Sequence, residues 1–114
     1  MESITKIYDN KIGISFQWKE NKSNLIQIIF RDTGFHLQER EIEEFLEKVM
    51  DSKQQKNCDT CIKGKHCKSI LLQTPSDKIS LAVSLVELRQ IDDLLRGTLF
   101  QLRMNNYLKD ICKN

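Results

Sequence analysis

Three of the four cysteines lie within ten positions, in the stretch "KNCDTCIKGKHCK" that runs from residue 56 to residue 68. A Cys-x2-Cys pair can bring two thiolates to one metal ion, because the two-residue spacer places both sulfurs on the same side of a tight turn. The neighbouring lysines favour the thiolate form, which binds metals and also reacts. The spacing therefore predicts a metal centre, and the ligands it predicts are Cys58, Cys61, Cys67 and Cys112.

The fourth ligand and the bound species stay open at this stage. Cys112 keeps the site all-sulfur and would tie the C-terminal helix to the cysteines, whereas His66 is the alternative ligand. Zinc suits a closed site that stabilises a long loop, although four thiolates would equally hold an iron–sulfur cluster. A third hypothesis is a redox sensor in which Cys58 and Cys61 cycle between dithiol and disulfide.

Length and composition place the chain among ordinary globular proteins. Its 114 residues are 39% apolar and 30% charged, which predicts a single domain over residues 1–114. The first residues, "MESITKIYDN", hold no apolar leader, and no run approaches the roughly eighteen apolar residues of a membrane span. We therefore expect a cytoplasmic protein without a membrane segment, in which thiols are kept reduced.

Charge is segregated around residues 53–68, the cysteine segment, which joins the two halves of the chain. Five lysines against one aspartate give this segment a net charge of +4, and the preceding stretch from Glu39 to Asp51 has six acids and two bases, a net charge of −4. A lysine-rich loop raises the hypothesis of nucleic-acid binding. The segment lacks the interleaved aromatic side chains on which bases stack, so this hypothesis is the weaker one.

Hydrophobic patterns predict an antiparallel sheet. Residues 12–18 alternate, with Ile12, Ile14, Phe16 and Trp18 on one face, as in a half-buried strand. Residues 25–30 are apolar on both faces, and a turn at "DTG" leads into a short strand at 35–37. After the cysteine segment, residues 69–74 and 79–83 predict a second hairpin.

Two helices are predicted, one after each hairpin. Residues 38–52 carry the apolar stripe Ile42, Phe45, Leu46, Val49 and Met50, and Ser84 with Glu87 forms a capping box at the start of the second helix. The predicted fold class is α+β, a small antiparallel sheet with helices mainly on one face. Sliding the halves by 46 residues aligns the two helices, which suggests an internal strand–turn–strand–helix repeat.

The second helix carries two apolar stripes. The first is formed by Leu88, Ile91, Leu95, Leu99 and Leu102, and the second, beyond Gly97, by Phe100, Met104, Leu108 and Ile111. One helix cannot bury two stripes against one small sheet. Either the helix kinks near Gly97 and folds back, or the second stripe faces another chain. We expect a homodimer built on this stripe, because twofold pairs are the commonest way to bury one.

Enzyme signatures are sparse in the sequence. Asp32-Thr33-Gly34 is the triplet of aspartic proteases, but the bulky Phe35 follows it, and between two apolar runs the triplet is first of all a hairpin turn. His36 is expected to point away from its apolar neighbours, as a surface histidine does. We expect a metal-stabilised binding or regulatory module that acts through a protein partner. An enzymatic function is the less favoured hypothesis.

Parts of the chain resemble a family of short uncharacterised bacterial proteins that contain cysteines. The residues that carry the resemblance are Cys58, Cys61, Cys67, the run 97–100 and the ending 107–112. The resemblance implies no activity. It implies only that the cysteine segment and the C-terminal segment occur together.

Overall fold

The computed structural model describes residues 3–19, 24–54 and 67–111, and it has an α+β fold. A four-stranded antiparallel sheet, in the order β1-β2-β3-β4, is followed by helix α1, a two-stranded antiparallel sheet and helix α2. The bounds are β1 Ile4–Asp9, β2 Gly13–Trp18, β3 Ile26–Phe30, β4 Thr33–Leu37, α1 Glu39–Ser52, β5 Ile70–Gln73, β6 Ser80–Val83 and α2 Leu85–Ile111. Each half thus contains a hairpin followed by a helix, and an internal repeat stays a prediction.

The sequence patterns do not indicate strand β1, because its pairing with β2 is irregular. It pairs with β2, but the register shifts between Lys6 and Tyr8, which is the signature of a β-bulge. A bulge inserts one extra residue and so breaks the two-residue period that identifies strands in a sequence.

Strand β2 alternates as predicted, but its apolar stripe lies on the sheet face away from the helices. Ser15 is fully buried and pairs with Ile28 of β3, which belongs to the core. Its Oγ lies 2.6 Å from the Oγ1 of Thr98 in α2. Small side chains therefore line the contact with α2 and allow a close approach. The opposite face carries Phe16, which packs edge-to-face on Trp18 with ring centroids 5.4 Å apart.

Both helices cover one face of the four-stranded sheet, as predicted. Helix α1 buries Ile42, Phe45 and Val49, whereas Met50, which the sequence placed in the same stripe, is exposed. Side chains from both sheets and both helices form one apolar cluster. Its fully buried members are Ile28, Phe30, Ile42, Phe45, Val49, Ile70, Leu72, Val83, Leu88, Ile91, Leu94 and Leu95.

Each helix begins with a reciprocal cap. In α2 the predicted capping box is present, since the Ser84 Oγ accepts the Glu87 amide at 3.1 Å and the Glu87 carboxylate accepts the Ser84 amide at 3.0 Å. In α1 the same exchange links Gln38 and Glu41. These bonds satisfy amides that the first turn of a helix would otherwise leave unpaired.

Helix α2 passes through Gly97 without a break, so the predicted alternative of a kink and fold-back is wrong. It runs antiparallel to α1, because Lys53 near the end of α1 pairs with Asp92 while Arg103 pairs with Glu39 at the start of α1. We call residues 100–111 the arm; from Arg103 onward its residues are exposed.

Within the part of the chain that the structure describes, neither helix combines the length and the apolar content needed to cross a bilayer.

Candidate functional site

Most of the predicted metal ligands lie outside the described residues: Cys58, Cys61, Cys112 and the alternative ligand His66. Cys67 is described, and it is half-buried in the short link that leads into β5. Among residues 3–19, 24–54 and 67–111, no three histidine, cysteine or acidic side chains are grouped as a metal site requires. The metal centre therefore stays a prediction that rests on the spacing of the cysteines.

Both described ends of the cysteine segment are joined to α2. The Nζ of Lys53 lies 3.1 Å from an Asp92 carboxylate oxygen, and the Nζ of Lys68 lies 3.8 Å from Glu87. Partly exposed pairs of this kind contribute only about 0.2–1 kcal/mol each. Their value is positional, since they link both ends of the segment to the N-terminal part of α2, although Lys53 is also the C-cap of α1.

Helix α2 places its first turn, which lies near Cys67, far from its last described residue, Ile111. Cys67 precedes Lys68, whose ammonium group pairs with Glu87 in the first turn of α2. Ile111, which precedes Cys112, lies 24 residues further along the same continuous helix (111 minus 87). At a rise of 1.5 Å per residue this is about 36 Å, and two cysteines that share a zinc ion bind it at about 2.3 Å each. Cys112 itself lies outside the described residues, so its role as a ligand stays a prediction.

A polar cluster that the sequence did not reveal joins the β1–β2 turn to α2. One carboxylate oxygen of Asp93 accepts hydrogen bonds from the Tyr8 hydroxyl and from the side-chain amide of Asn10, both at 2.9 Å. Asn10 also donates to the Gln90 carbonyl at 2.8 Å. The hydrogen bond to Asp93, with smaller contributions from burial and nearby negative charge, raises the pKa of Tyr8.

This cluster has the character of a structural tether. The Asn10 side-chain oxygen accepts the amides of Ile12 and Gly13, so the same residue shapes the turn and fixes it to the helix. Its hydrogen bonds join residues that are 80 to 85 positions apart, which explains why no local motif indicates the cluster.

The Asp-Thr-Gly triplet lies in the β3–β4 hairpin, as predicted. Arg31 and Asp32 form the two-residue turn between β3 and β4, and Thr33 and Gly34 already belong to β4. His36 is exposed between the more buried Phe35 and Leu37, as predicted, and its Nδ1 is hydrogen bonded to the side-chain oxygen of Gln27. The description of His36 as a surface histidine is thus confirmed.

The arm carries the largest group of exposed apolar side chains in the described residues. Phe100 and Tyr107 are 59% and 61% exposed, and Leu108, Ile111 and Met104 are also exposed. Arg103 anchors the base of the arm through ion pairs to Glu39 and Glu43 of α1. Since α1 begins at Glu39, it does not extend alongside the rest of the arm.

Comparisons of this chain with protein-family models, with curated proteins and with solved structures found no match. The resemblance to short bacterial proteins therefore stays a prediction, and the functional inference depends on the side chains and their geometry.

Proposed function

We propose that the protein is a small cytoplasmic binding module that acts through protein partners, and that its arm pairs with the arm of a second copy. The observation that carries this proposal is the exposed apolar stripe of the arm. The second function that we propose for the chain is zinc binding by the cysteine segment, which would stabilise the module rather than catalyse a reaction.

The spacing of the stripe supports helix pairing. Phe100, Met104, Leu108 and Ile111 follow one another at intervals of four, four and three residues, which places them on one side of a helix. Intervals of three and four residues are those of the seam in a two-stranded coiled coil. A second arm with the same stripe is therefore a partner of matching shape and chemistry.

The exposed area supports the same partner. At the observed exposures, the five apolar side chains of the arm present on the order of 500 Å² to solvent, by comparison with the 150–250 Å² of an aromatic side chain. The largest apolar patch of a typical monomer is about 300–600 Å² and often marks an interface. Two such stripes bury about 1,000 Å², and flanking polar groups bring the total towards the size of a specific interface.

Light scattering on the wild-type chain tests the pairing. We expect a particle of twice the chain mass of 13.4 kDa, because burying both stripes removes their apolar surface from water. A mass of one chain at about 0.5 mM protein would contradict the proposal, since a specific pair of this size should form well below that concentration.

For the metal we propose zinc, bound by Cys58, Cys61 and Cys67. Support comes from the Cys-x2-Cys spacing and from the ion pairs that hold both ends of the segment beside α2. Purified protein should carry about one zinc ion per chain, and cobalt should replace it with thiolate charge-transfer bands.

Three results would contradict zinc. One is an apoprotein in which every thiol titrates freely, and another is the visible absorbance of an iron–sulfur cluster. The third is rapid, reversible formation of a Cys58–Cys61 disulfide in mild peroxide, which would favour the redox sensor, since bound zinc should shield its thiolates.

We propose His66 as the fourth ligand in preference to Cys112, because α2 places its last described residue far from its first turn, which lies near Cys67. We expect His66→Ala to weaken zinc retention by about tenfold or more against a chelator, and Cys112→Ala to change it by less than about twofold. The two variants are matched controls for each other. The reverse ranking would restore Cys112 as a ligand and would require α2 to bend.

A further inference from the structure

Strand β4 is an edge strand whose outward hydrogen-bonding groups are open. Its pairing with β3 begins at Phe30 and Thr33, on either side of a two-residue turn. In an antiparallel pair the bonded positions alternate, so the N–H and C=O groups of Gly34 and His36 point away from β3. Within the described residues these groups have no hydrogen-bond partner.

A cleft of about 360 Å³ follows this edge. All five residues of β4 line one side, and the turn between β5 and β6 forms the other side, through Thr74, Pro75, Ser76 and Ile79. Glu41 of α1 also lines the cleft. The edge of β4 is therefore part of a concave groove and not of a flat sheet margin.

The polar groups of the opposite wall form hydrogen bonds within their own hairpin. The Thr74 hydroxyl donates to the carbonyls of Ser76 and Ile79, and the Gln73 amide donates to the same two carbonyls, at 2.6 to 3.1 Å. The Arg31 guanidinium also donates to the Ala82 carbonyl of β6 at 2.9 Å, which links the β3–β4 turn to the hairpin that carries this wall. The cleft is thus formed before anything occupies it.

Gly34 leaves room for a side chain from outside. A Cβ built at this position would meet only Ile29, at an ordinary contact distance of 3.8 Å. Large apolar or aromatic side chains on a neighbouring strand commonly cover an edge glycine of this kind. The edge thus offers main-chain hydrogen bonds and, beside them, an apolar space.

We infer that the cleft binds an extended segment of a partner protein, which adds to β4 as a fifth strand of the four-stranded sheet. Its main chain pairs with Gly34 and His36, and an aromatic or large aliphatic side chain lies over Gly34. Strand addition of this type takes its affinity from main-chain bonds and its specificity from alternate side chains. This surface is separate from the arm, so the two interactions are independent.

Amide hydrogen exchange tests the inference on the full-length chain, with an acetylated and amidated peptide of sequence Thr-Val-Tyr-Val-Thr as the probe. In the protein alone the amides of Gly34 and His36 should exchange quickly, while Phe35, which is bonded to β3, should exchange slowly. At about 1 mM peptide the Gly34 and His36 amides should slow by about tenfold or more, and Phe35 should not change.

A proline substitution separates strand addition from other modes of binding. Gly34→Pro removes the outward N–H at an edge position that tolerates proline, and it should abolish peptide binding. Gly34→Ala keeps the N–H and places its Cβ in open space, so it should weaken binding by less than about threefold. Slow exchange of Phe35 in each variant shows that the sheet is still formed.

Three outcomes would overturn the inference: protection of Gly34 and His36 without peptide, no effect of the peptide on their exchange, or equal binding by wild type and Gly34→Pro. If the peptide still binds to a monomeric arm variant, strand addition stands even where the pairing of the arms fails. Loss of peptide binding with an intact dimer contradicts strand addition alone.

Discussion

The double substitution Phe100→Glu with Met104→Glu should convert the proposed dimer into a folded monomer, with the dissociation constant raised by at least about a hundredfold. Burial of an apolar side chain of this size contributes about 1.5–3 kcal/mol, and each copy supplies both residues. A hundredfold change requires only about 2.8 kcal/mol in total. Since Phe100 is 59% exposed and Met104 lies on the projecting arm, the fold itself should keep its stability.

Light scattering, with circular dichroism as the check on folding, measures this outcome. The matched control is Asn105→Glu with Asn106→Glu, which adds the same charge to the same arm but away from the apolar stripe. The control should remain dimeric. A Phe100→Glu and Met104→Glu variant that stays dimeric, or that unfolds, would show that these side chains are not an interface between copies.

Phe45→Ala should lower the free energy of unfolding by about 3–5 kcal/mol, the usual cost of removing a buried phenylalanine side chain. Phe45 is fully buried in α1 and contacts Phe30 and Phe35, with ring centroids 6.2 and 5.3 Å away. The cavity would open where α1 meets the four-stranded sheet. Much of the stability of a domain of this size would be lost.

Urea unfolding measures the effect, as a lower midpoint with an unchanged dependence on denaturant. Leu71→Ala is the control, because its side chain is 60% exposed on β5 and its removal should cost less than about 1 kcal/mol. Equal losses for the two variants would mean that the aromatic cluster does not form the core between α1 and the sheet.

The fold class and most helices and strands were predictable because their apolar residues recur at regular intervals. Ile42, Phe45 and Val49 follow helical spacing and are buried, as predicted. The predictions from the sequence fail where apolar residues do not recur at regular intervals. The bulge in β1 hides a strand, and in β2 the face that contacts α2 carries the small Ser15 rather than the apolar stripe, so hydrophobicity alone indicates the wrong face.

The reason for Gly97 also could not be read from the sequence. A glycine inside a helix costs about 1 kcal/mol relative to alanine, so it suggests a kink. In the structure a Cβ at this position would lie 2.5 Å from the ring of Tyr8, and the helix continues through it. Gly97 therefore permits close packing of α2 against β1, and this contact between distant residues has no local pattern.

Of the candidate sites, the sequence indicates the cysteines and the arm, because each has a chemical or helical spacing of its own. The β4 cleft has neither a chemical nor a helical spacing in the sequence. It results from an edge strand that faces the turn of another hairpin, about 40 residues later in the chain, and only the folded arrangement brings Gly34 and Ile79 to one groove.

The projecting arm also affects how the molecule moves through solution. The structure measures 60 × 31 × 26 Å, and its radius of gyration is 15.8 Å, against about 13 Å for a compact chain of this length. An elongated particle has a higher frictional coefficient and diffuses more slowly than a sphere of equal mass. On a size-exclusion column calibrated with spherical standards, a single chain would therefore elute early, at an apparent mass shifted towards that of two chains.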